Sequence, residues 1–169
     1  EPNDVETDMR PVMMTYNMLK YSDKPLMGSS LGYEFSKKSI EMAAIANGGL
    51  DVLEEKTVIA AIPCTLTPFS YDDKMAGAIF AYAETNQAQL VNSLPIAGAT
   101  SPATFAGTVV VQNAEVLAGI VLAQCVRPGR NFKKHRAALK DKFAHAVQLH
   151  ALGAGARIHH QLVPLLQRR

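Results

Sequence analysis

Short apolar runs alternate with longer amphipathic segments along the first three quarters of the chain. Residues 24–30 and 57–64 are apolar runs that end in small or polar residues, and residues 89–94 form a third run of the same length class. Apolar runs without alternation are typical of strands buried on both faces of a parallel sheet. We therefore predict a strand in each of these three segments.

A segment with helical spacing of apolar residues follows each predicted strand. The helices are predicted over 36–46, 71–85 and 102–126, after a first helix around 11–20. Ser101 suits the N-cap of the last helix, and Pro102 suits its first helical position. The pattern therefore predicts three consecutive βα units behind an initial helix.

The spacing of the predicted strands indicates the fold class. The strands begin at Lys24, Thr57 and Gln89, which lie 33 and 32 residues apart. Eight units of roughly this size make up the ~250 residues of a typical (β/α)₈ barrel. A doubly wound sheet is built from the same units, although no G-x-G-x-x-G follows the first strand. We predict an α/β fold, an incomplete TIM (β/α)₈ barrel of about three βα units plus a basic helical tail.

The predicted helix over 102–126 is apolar enough to suggest a membrane span. Gln112, Asn113 and Glu115 fall together near its middle, where a bilayer would penalise them by several kcal/mol in total. We therefore predict a helix buried in the barrel and no membrane association. Asn113 and Glu115 are interpreted as satisfied structural groups, with a functional role as the alternative.

The loops after the predicted strands are the candidate functional region, because active groups of such folds come from these loops. They contain Ser, Thr, Gly and Pro, and residues 1–126 lack histidine altogether, so no Ser/His/Asp set or metal-ligand motif can be assembled. We predict a shaped binding pocket rather than a proton-transfer site, with no metal and no identified catalytic residue. The predicted substrate-binding residues are Ser29, Tyr33, Thr67, Phe69, Gly98, Thr100 and Thr104.

Two kinds of ligand fit these loops. Backbone N–H groups at Gly98–Ser101 beside a helix start suit a carboxylate or phosphate, or they serve an ordinary turn and cap. The aromatic residues Tyr33, Phe69 and Tyr71 lie at or just beyond strand ends, where they could hold an ammonium group or simply pack at the rim. Both interpretations stay open on the residues alone.

The net charge of +2 hides two unlike parts. Residues 1–126 hold seven Lys/Arg against fourteen Asp/Glu, whereas residues 127–169 hold ten Lys/Arg, one acid and all five histidines. We therefore expect a partial barrel domain over 1–129 and a basic helical tail over 130–169. Three interpretations of the tail stay open. It is a sequence translated from another reading frame or a chimeric join, it is a basic helix that binds RNA or an acidic partner, or it is a helix that covers the sheet edge at residues 89–94.

Processing and compartment are expectations from the ends and the cysteines of the chain. Two cysteines without a pairing pattern suit reduced cytosol, and no secretory segment opens the chain. We expect a cytoplasmic protein. The chain begins at Glu1 without a methionine, which suggests a piece of a longer protein.

Three segments together resemble a known family. Residues 94–107 read LPIAGATSPATFAG, residues 113–124 read NAEVLAGIVLAQ, and Pro128-Gly129 follow. This text is similar to the trimethylamine methyltransferase family, whose pattern is P-x-A-G-A-T-x-P-x-T-x-A-G, then N-A-E-x-L-A-x-I-V and a P-G pair. Residues 63–71 also resemble family text, more weakly. The resemblance covers roughly residues 4–129 and ends where the basic tail begins.

The resemblance implies a TIM barrel about three times as long as this chain, and it implies a reaction. A methyl group leaves a tertiary or quaternary amine and is taken by the Co(I) of a corrinoid (cobalamin) carried by a partner protein. The expected partners are that corrinoid protein and a small methylated amine, without nucleic acid. Whether pyrrolysine or a quaternary amine such as glycine betaine is used stays open, as does self-association. The alternatives are a non-catalytic binding module with a basic nucleic-acid- or protein-binding tail, and a barrel segment that binds phosphate through residues 98–104.

Overall fold

The described part of the chain contains three short parallel strands, five α-helices and one 3-10 helix, which spans Thr7–Met9. The computed structural model describes residues 3–128, and the predicted tail over 130–169 lies outside the described residues. The helices are α1 (Arg10–Tyr21), α2 (Tyr33–Ala46), α3 (Val52–Glu55), α4 (Asp73–Glu84) and α5 (Phe105–Val126). The strands are β1 (Leu26–Met27), β2 (Ile59–Ala61) and β3 (Ala88–Gln89). The α/β class and the alternation of strands and helices predicted from the sequence are confirmed, and the short helix α3 was not predicted.

The strands form one parallel sheet in the order β1-β2-β3. Leu26 pairs with Ile59, and Ala61 pairs with Gln89. The strands are shorter than predicted, but parallel contact between the second and third segments continues to a bridge between Cys64 and Asn92. The carboxyl ends of β2 and β3 therefore lead side by side into the loops that follow them.

The main core lies between the sheet and the helices α2 and α4. Ile40, Ala43, Ile59 and Tyr82 are each no more than 2% exposed. Small residues let the two helices approach closely, since a Cβ on Gly77 would stand 2.8 Å from the backbone nitrogen of Tyr33. Burial of apolar side chains and close helix packing thus stabilise α2 and α4 against the sheet.

The start of α5 differs from the prediction. Thr104 is the N-cap, and its side chain accepts a hydrogen bond from Gly107 N. The predicted N-cap Ser101 is wrong, because residues 96–101 close a turn of their own and the Ser101 hydroxyl lies 3.0 Å from that of Thr108. The helix therefore begins three residues later than the sequence suggested.

Burial of α5 is confined to one face. Its buried residues are Val111, Glu115, Val116 and Gly119, while Val110 and Val121 are at least 60% exposed. Within residues 3–128 it is the one helix that is long and apolar enough to cross a membrane by length and composition, and 22% of its most apolar stretch is buried. The prediction of a buried helix thus holds for the face that packs on α4 and on the segments that follow β2 and β3, and it is wrong for the opposite face.

Candidate functional site

A buried carboxylate organises the loops at the carboxyl end of the sheet. Glu115 projects from α5 towards the segments that follow β2 and β3. Its Oε2 accepts hydrogen bonds from Thr65 Oγ1 at 2.8 Å, from Thr67 Oγ1 at 2.9 Å and from Ser93 Oγ. Its Oε1 accepts from the backbone N–H of Phe69 at 2.7 Å. We call these five residues the Glu115 cluster.

The Glu115 cluster holds a negative charge. Burial by itself raises the pKa of Glu115, but hydrogen bonds from Ser93, the Phe69 N–H, Thr65 and Thr67 outweigh it, so the pKa lies below its ordinary value. The ion pairs formed within residues 3–128 involve Lys24, Lys37 and Arg127 and none of them reaches Glu115. The carboxylate, which is 2% exposed, is therefore stabilised by neutral donors and has no partner cation in the described part of the chain.

Tyr71 joins the same loop to the backbone of α5. Its hydroxyl donates to the carbonyl oxygen of Glu115 at 2.9 Å. Burial, and next the charge of Glu115, raise the pKa of Tyr71 to about 12. Gly119 makes this approach feasible, because a Cβ there would collide with the Tyr71 hydroxyl and lie 2.7 Å from Val91 Cγ1. Tyr71, in the loop after β2, and Val91, after β3, thus pack against the turn of α5 that contains Glu115 and Gly119.

Phe69 presents an aromatic ring beside the Glu115 cluster. Its φ of 55° is in the left-handed region, where bulky residues are rarely found, and its side chain is 68% exposed. The surrounding loop is closed by two backbone hydrogen bonds between Leu66 and Ser70, at 2.8 and 3.1 Å. Backbone conformations of this kind persist where neighbouring groups enforce them, and they concentrate at functional sites.

The loop before α5 uses its own donors internally. Gly98 N donates to Ser101 O at 2.9 Å, and the N–H groups of Ala99, Thr100 and Ser101 donate to Ile96 O at 3.0–3.1 Å. Thr100 Oγ1 accepts from Ile96 N at 2.9 Å. These N–H groups are therefore not directed at a ligand, and the interpretation of this loop as an anion cradle is not supported by its hydrogen bonds.

The predicted site residues fall into three places. Thr67 and Phe69 belong to the Glu115 cluster, whereas Gly98, Thr100 and Thr104 shape the turn and cap before α5. Ser29 accepts a hydrogen bond from Leu31 N in the loop after β1. Tyr33 donates to Glu84 Oε2 at 2.6 Å, and this bond ties α2 to α4. The structure thus brings together two of the seven predicted residues around one charged group.

Sequence reasoning placed Thr65, Ser93 and Glu115 outside the predicted site. The signal that points to them is a single acidic residue in an apolar helix, preceded by two strand ends that carry hydroxyl groups. Glu115 was predicted to be a satisfied structural group, with a functional role as the alternative. Within residues 3–128 no three His, Cys, Asp or Glu side chains converge so as to hold a metal ion.

A cavity of about 520 Å³ lies elsewhere, at the amino ends of β1 and β2. Lys24, Lys56, Leu26 and Ile59 are among its lining residues. Functional groups of parallel α/β folds collect at the carboxyl ends of the strands, and the Glu115 cluster is at those ends. We therefore take the Glu115 cluster, and not this cavity, as the candidate site.

Comparison with known proteins finds relatives that are named as methyltransferases. A family model described as trimethylamine methyltransferase (MTTB) matches residues 1–133. The chain is 50% identical over 129 residues to the glycine betaine methyltransferase of Desulfitobacterium hafniense (strain Y51). The aligned region covers 76% of this chain and 27% of that protein. It is 29% identical over 117 residues to the proline betaine:corrinoid methyltransferase of Eubacterium limosum, covering 66% and 24%. It is 36% identical over 93 residues to the trimethylamine methyltransferase MttB of D. hafniense (strain DSM 10664 / DCB-2), covering 55% and 19%. The chain thus spans about a quarter of the length of these relatives or less.

Proposed function

The chain belongs to the trimethylamine methyltransferase family, and we propose that it forms part of an enzyme that moves a methyl group from a methylated amine to the Co(I) of a corrinoid protein. The names of the relatives support an amine substrate, since they refer to glycine betaine, proline betaine and trimethylamine. We further propose that the three βα units are part of a (β/α)₈ barrel. The spacing of the strands and the length of the relatives support this architecture.

The chemistry of the substrate sets what the chain has to supply. When the C–N bond breaks, its electron pair stays on nitrogen, so the nitrogen must carry a positive charge before it leaves. A quaternary amine meets this condition and departs as a neutral tertiary amine without a proton transfer. The corrinoid supplies the nucleophile that takes the methyl group. The protein is left to bind the cation, orient one methyl group outward and exclude competing water.

The Glu115 cluster suits these tasks. Quaternary ammonium groups offer no N–H donor, so proteins hold them with aromatic faces and with negative charge that is not consumed by a cationic side chain. Phe69 provides an exposed ring, and Glu115 provides an ionised carboxylate without a described partner cation. The observation that carries the proposal is a buried carboxylate bonded to the backbone of an exposed aromatic residue, at the carboxyl end of parallel strands.

The same edge of the sheet also suits contact with a partner that carries the corrinoid. Leu66, Leu94 and Ile96, in the loops after β2 and β3, are each more than half exposed. Exposed apolar side chains suit contact with further protein, which in this proposal is the rest of the barrel or the partner. In this proposal the residues of the chain contact the corrinoid protein, and the cobalt stays with the partner.

A graft tests the proposal. Residues 3–128 would replace the matching segment of the D. hafniense glycine betaine methyltransferase, and methyl transfer from glycine betaine or trimethylamine to cob(I)alamin would be followed by the loss of the Co(I) spectrum. We expect transfer by the graft and a loss of about tenfold or more in kcat/KM for its Phe69→Ala variant. A folded graft that transfers no methyl group from either amine would refute the proposal.

A further inference from the structure

We propose that Glu115 is a positioning residue for the substrate cation: it fixes Phe69 through the backbone N–H and supplies a buried negative charge at the loop that carries the ring. The inference rests on the proposed function, because it assumes an ammonium group at this edge of the sheet. It adds a role for a residue of α5 that lies behind the binding surface. It also identifies which of the loop residues is held for the ligand.

Glu115 acts through the groups that it holds, since its side chain does not reach the surface. The residue is 2% exposed, and its two carboxylate oxygens already receive four hydrogen bonds. A ligand cannot contact the carboxylate without displacing one of these donors. Any influence on a bound cation therefore passes through the position of the loop or through the field of the charge.

The position of Phe69 depends on this hydrogen bond. A left-handed backbone is unfavourable for a phenylalanine, and the bond from its N–H to Glu115 Oε1 at 2.7 Å is an interaction that rewards it. The ring itself is 68% exposed and gains little from burial. The unfavourable backbone and the exposed ring both lower the stability of the described residues. We therefore infer that this conformation presents the ring to a ligand.

The charge of Glu115 is more than the fold requires. At the opposite end of the sheet the neutral amide of Gln87 performs the same structural task, joining the segments before β2 and β3. A buried carboxylate is much harder to desolvate than an amide. Since a neutral side chain can hold such loops, the charge that these four hydrogen bonds stabilise on Glu115 is left available to attract a cation at the loop that carries Phe69.

Three variants of the 169-residue chain separate the charge, the hydrogen bond and the ring. Glu115→Gln keeps an oxygen for the Phe69 N–H, and its amide can donate to the hydroxyl oxygens, so mainly the charge is lost. Glu115→Ala removes both charge and acceptor, and Phe69→Leu removes the ring. Glu41→Gln, on the exposed face of α2, is the matched control for the loss of one carboxylate.

The readout is a ratio of two affinities. Glycine betaine and 3,3-dimethylbutanoate have the same shape and carboxylate, but only glycine betaine carries a charged nitrogen. We expect wild type and Glu41→Gln to prefer glycine betaine. The preference should fall roughly three- to tenfold in Glu115→Gln and about tenfold in Glu115→Ala and Phe69→Leu. Hydrogen exchange of the Phe69 amide should stay slow in Glu115→Gln and become fast in Glu115→Ala.

The outcomes separate this inference from the proposed function. If wild type prefers glycine betaine and Glu115→Gln keeps the full preference, the positioning role is wrong while the amine site stands. A merely structural role would weaken both ligands equally and leave the ratio unchanged, which also overturns the inference. If wild type shows no preference for the cation, the amine site itself is refuted. Should Glu115→Ala fail to fold, the Glu115→Gln ratio decides.

Discussion

The two ends of the parallel sheet are each held by one buried side chain, Gln87 at the amino end and Glu115 at the carboxyl end. Gln87 is 4% exposed, and its Oε1 accepts from Val58 N at 2.8 Å. The two N–H groups on its Nε2 are shared among the carbonyl oxygens of Leu53, Lys56 and Thr85, at 3.0–3.2 Å. Glu115 collects its four donors in the same manner. The two ends thus share a construction and differ in charge.

This difference separates what serves the fold from what serves the site. The neutral amide joins two strand starts and leaves no net charge in the interior. The carboxylate joins two strand ends and leaves one negative charge without a described partner cation. Burying an ionised carboxylate carries a penalty of several kcal/mol, which hydrogen bonds to a charged group offset at about 1.5–3 kcal/mol each. The charged end is therefore the one at which a ligand is expected.

The largest effect is expected from giving the amino end the same charge. Gln87→Glu would turn a carboxylate oxygen towards three carbonyl oxygens, so we expect a loss of about 3–5 kcal/mol in the free energy of unfolding. Urea unfolding of this variant beside Glu115→Gln measures the difference. We expect the latter change to cost about 1 kcal/mol, because an amide fits the donors and hydroxyl oxygens around it. Equal losses in the two variants would mean that the ends do not differ as described.

The next effect concerns the acceptor at the carboxyl end. Glu115→Leu would leave the Phe69 N–H and three hydroxyl groups without their acceptor, and each buried donor without a partner costs about 1–3 kcal/mol. Because hydroxyl groups can turn to other acceptors, we expect a total loss of about 3 kcal/mol in urea unfolding. Glu41→Leu, on the exposed face of α2, should change the stability by about 0.5 kcal/mol or less. A loss in Glu115→Leu no greater than that of Glu41→Leu would contradict the role of the cluster in docking α5.

The smallest effect is expected at Tyr71, which supports the cluster from the backbone side. Tyr71→Phe loses one hydrogen bond and should lower the stability by about 1 kcal/mol. Since folding raises the pKa of Tyr71 from 10.0 to about 12, its contribution is complete below pH 10 and is lost as the pH rises towards 12. Thermal unfolding across this range should therefore show a steeper alkaline decline in wild type than in Tyr71→Phe. Parallel declines would indicate that Tyr71 ionises as freely in the folded chain as in the unfolded one.

Local chemistry explains which parts of the fold could be predicted from the sequence. The strand order and the helices follow from apolar runs and helical spacing, which are properties of short segments. The N-cap of α5 was predicted wrongly at Ser101, because the backbone N–H and carbonyl groups of Ser101 form hydrogen bonds within the turn over residues 96–101. The exposed face of α5 was also not predicted, since the pattern gives its apolar character but not the number of neighbours that cover it.

The candidate site was predictable only in part. Thr67 and Phe69 were expected from their place after a strand, and they do lie together. Their convergence on Glu115 spans 46 to 48 residues along the chain, and no local pattern encodes such a contact. Ser93 and Thr65 could not be predicted as site residues, because nothing in their own segments shows that both donate a hydrogen bond to Glu115.

The most direct test of the central claim is the ionisation of Glu115 itself. Titration of the 169-residue chain, labelled with ¹³C at the glutamate carboxyl groups and assigned with Glu115→Gln, follows this group by NMR. We predict that Glu115 titrates below the ordinary value of 4.5, so that its stabilising contribution is complete above that pH and is lost as the pH falls through the lower folded value. A pKa at or above 4.5 would contradict a charged cluster at the carboxyl end of the sheet.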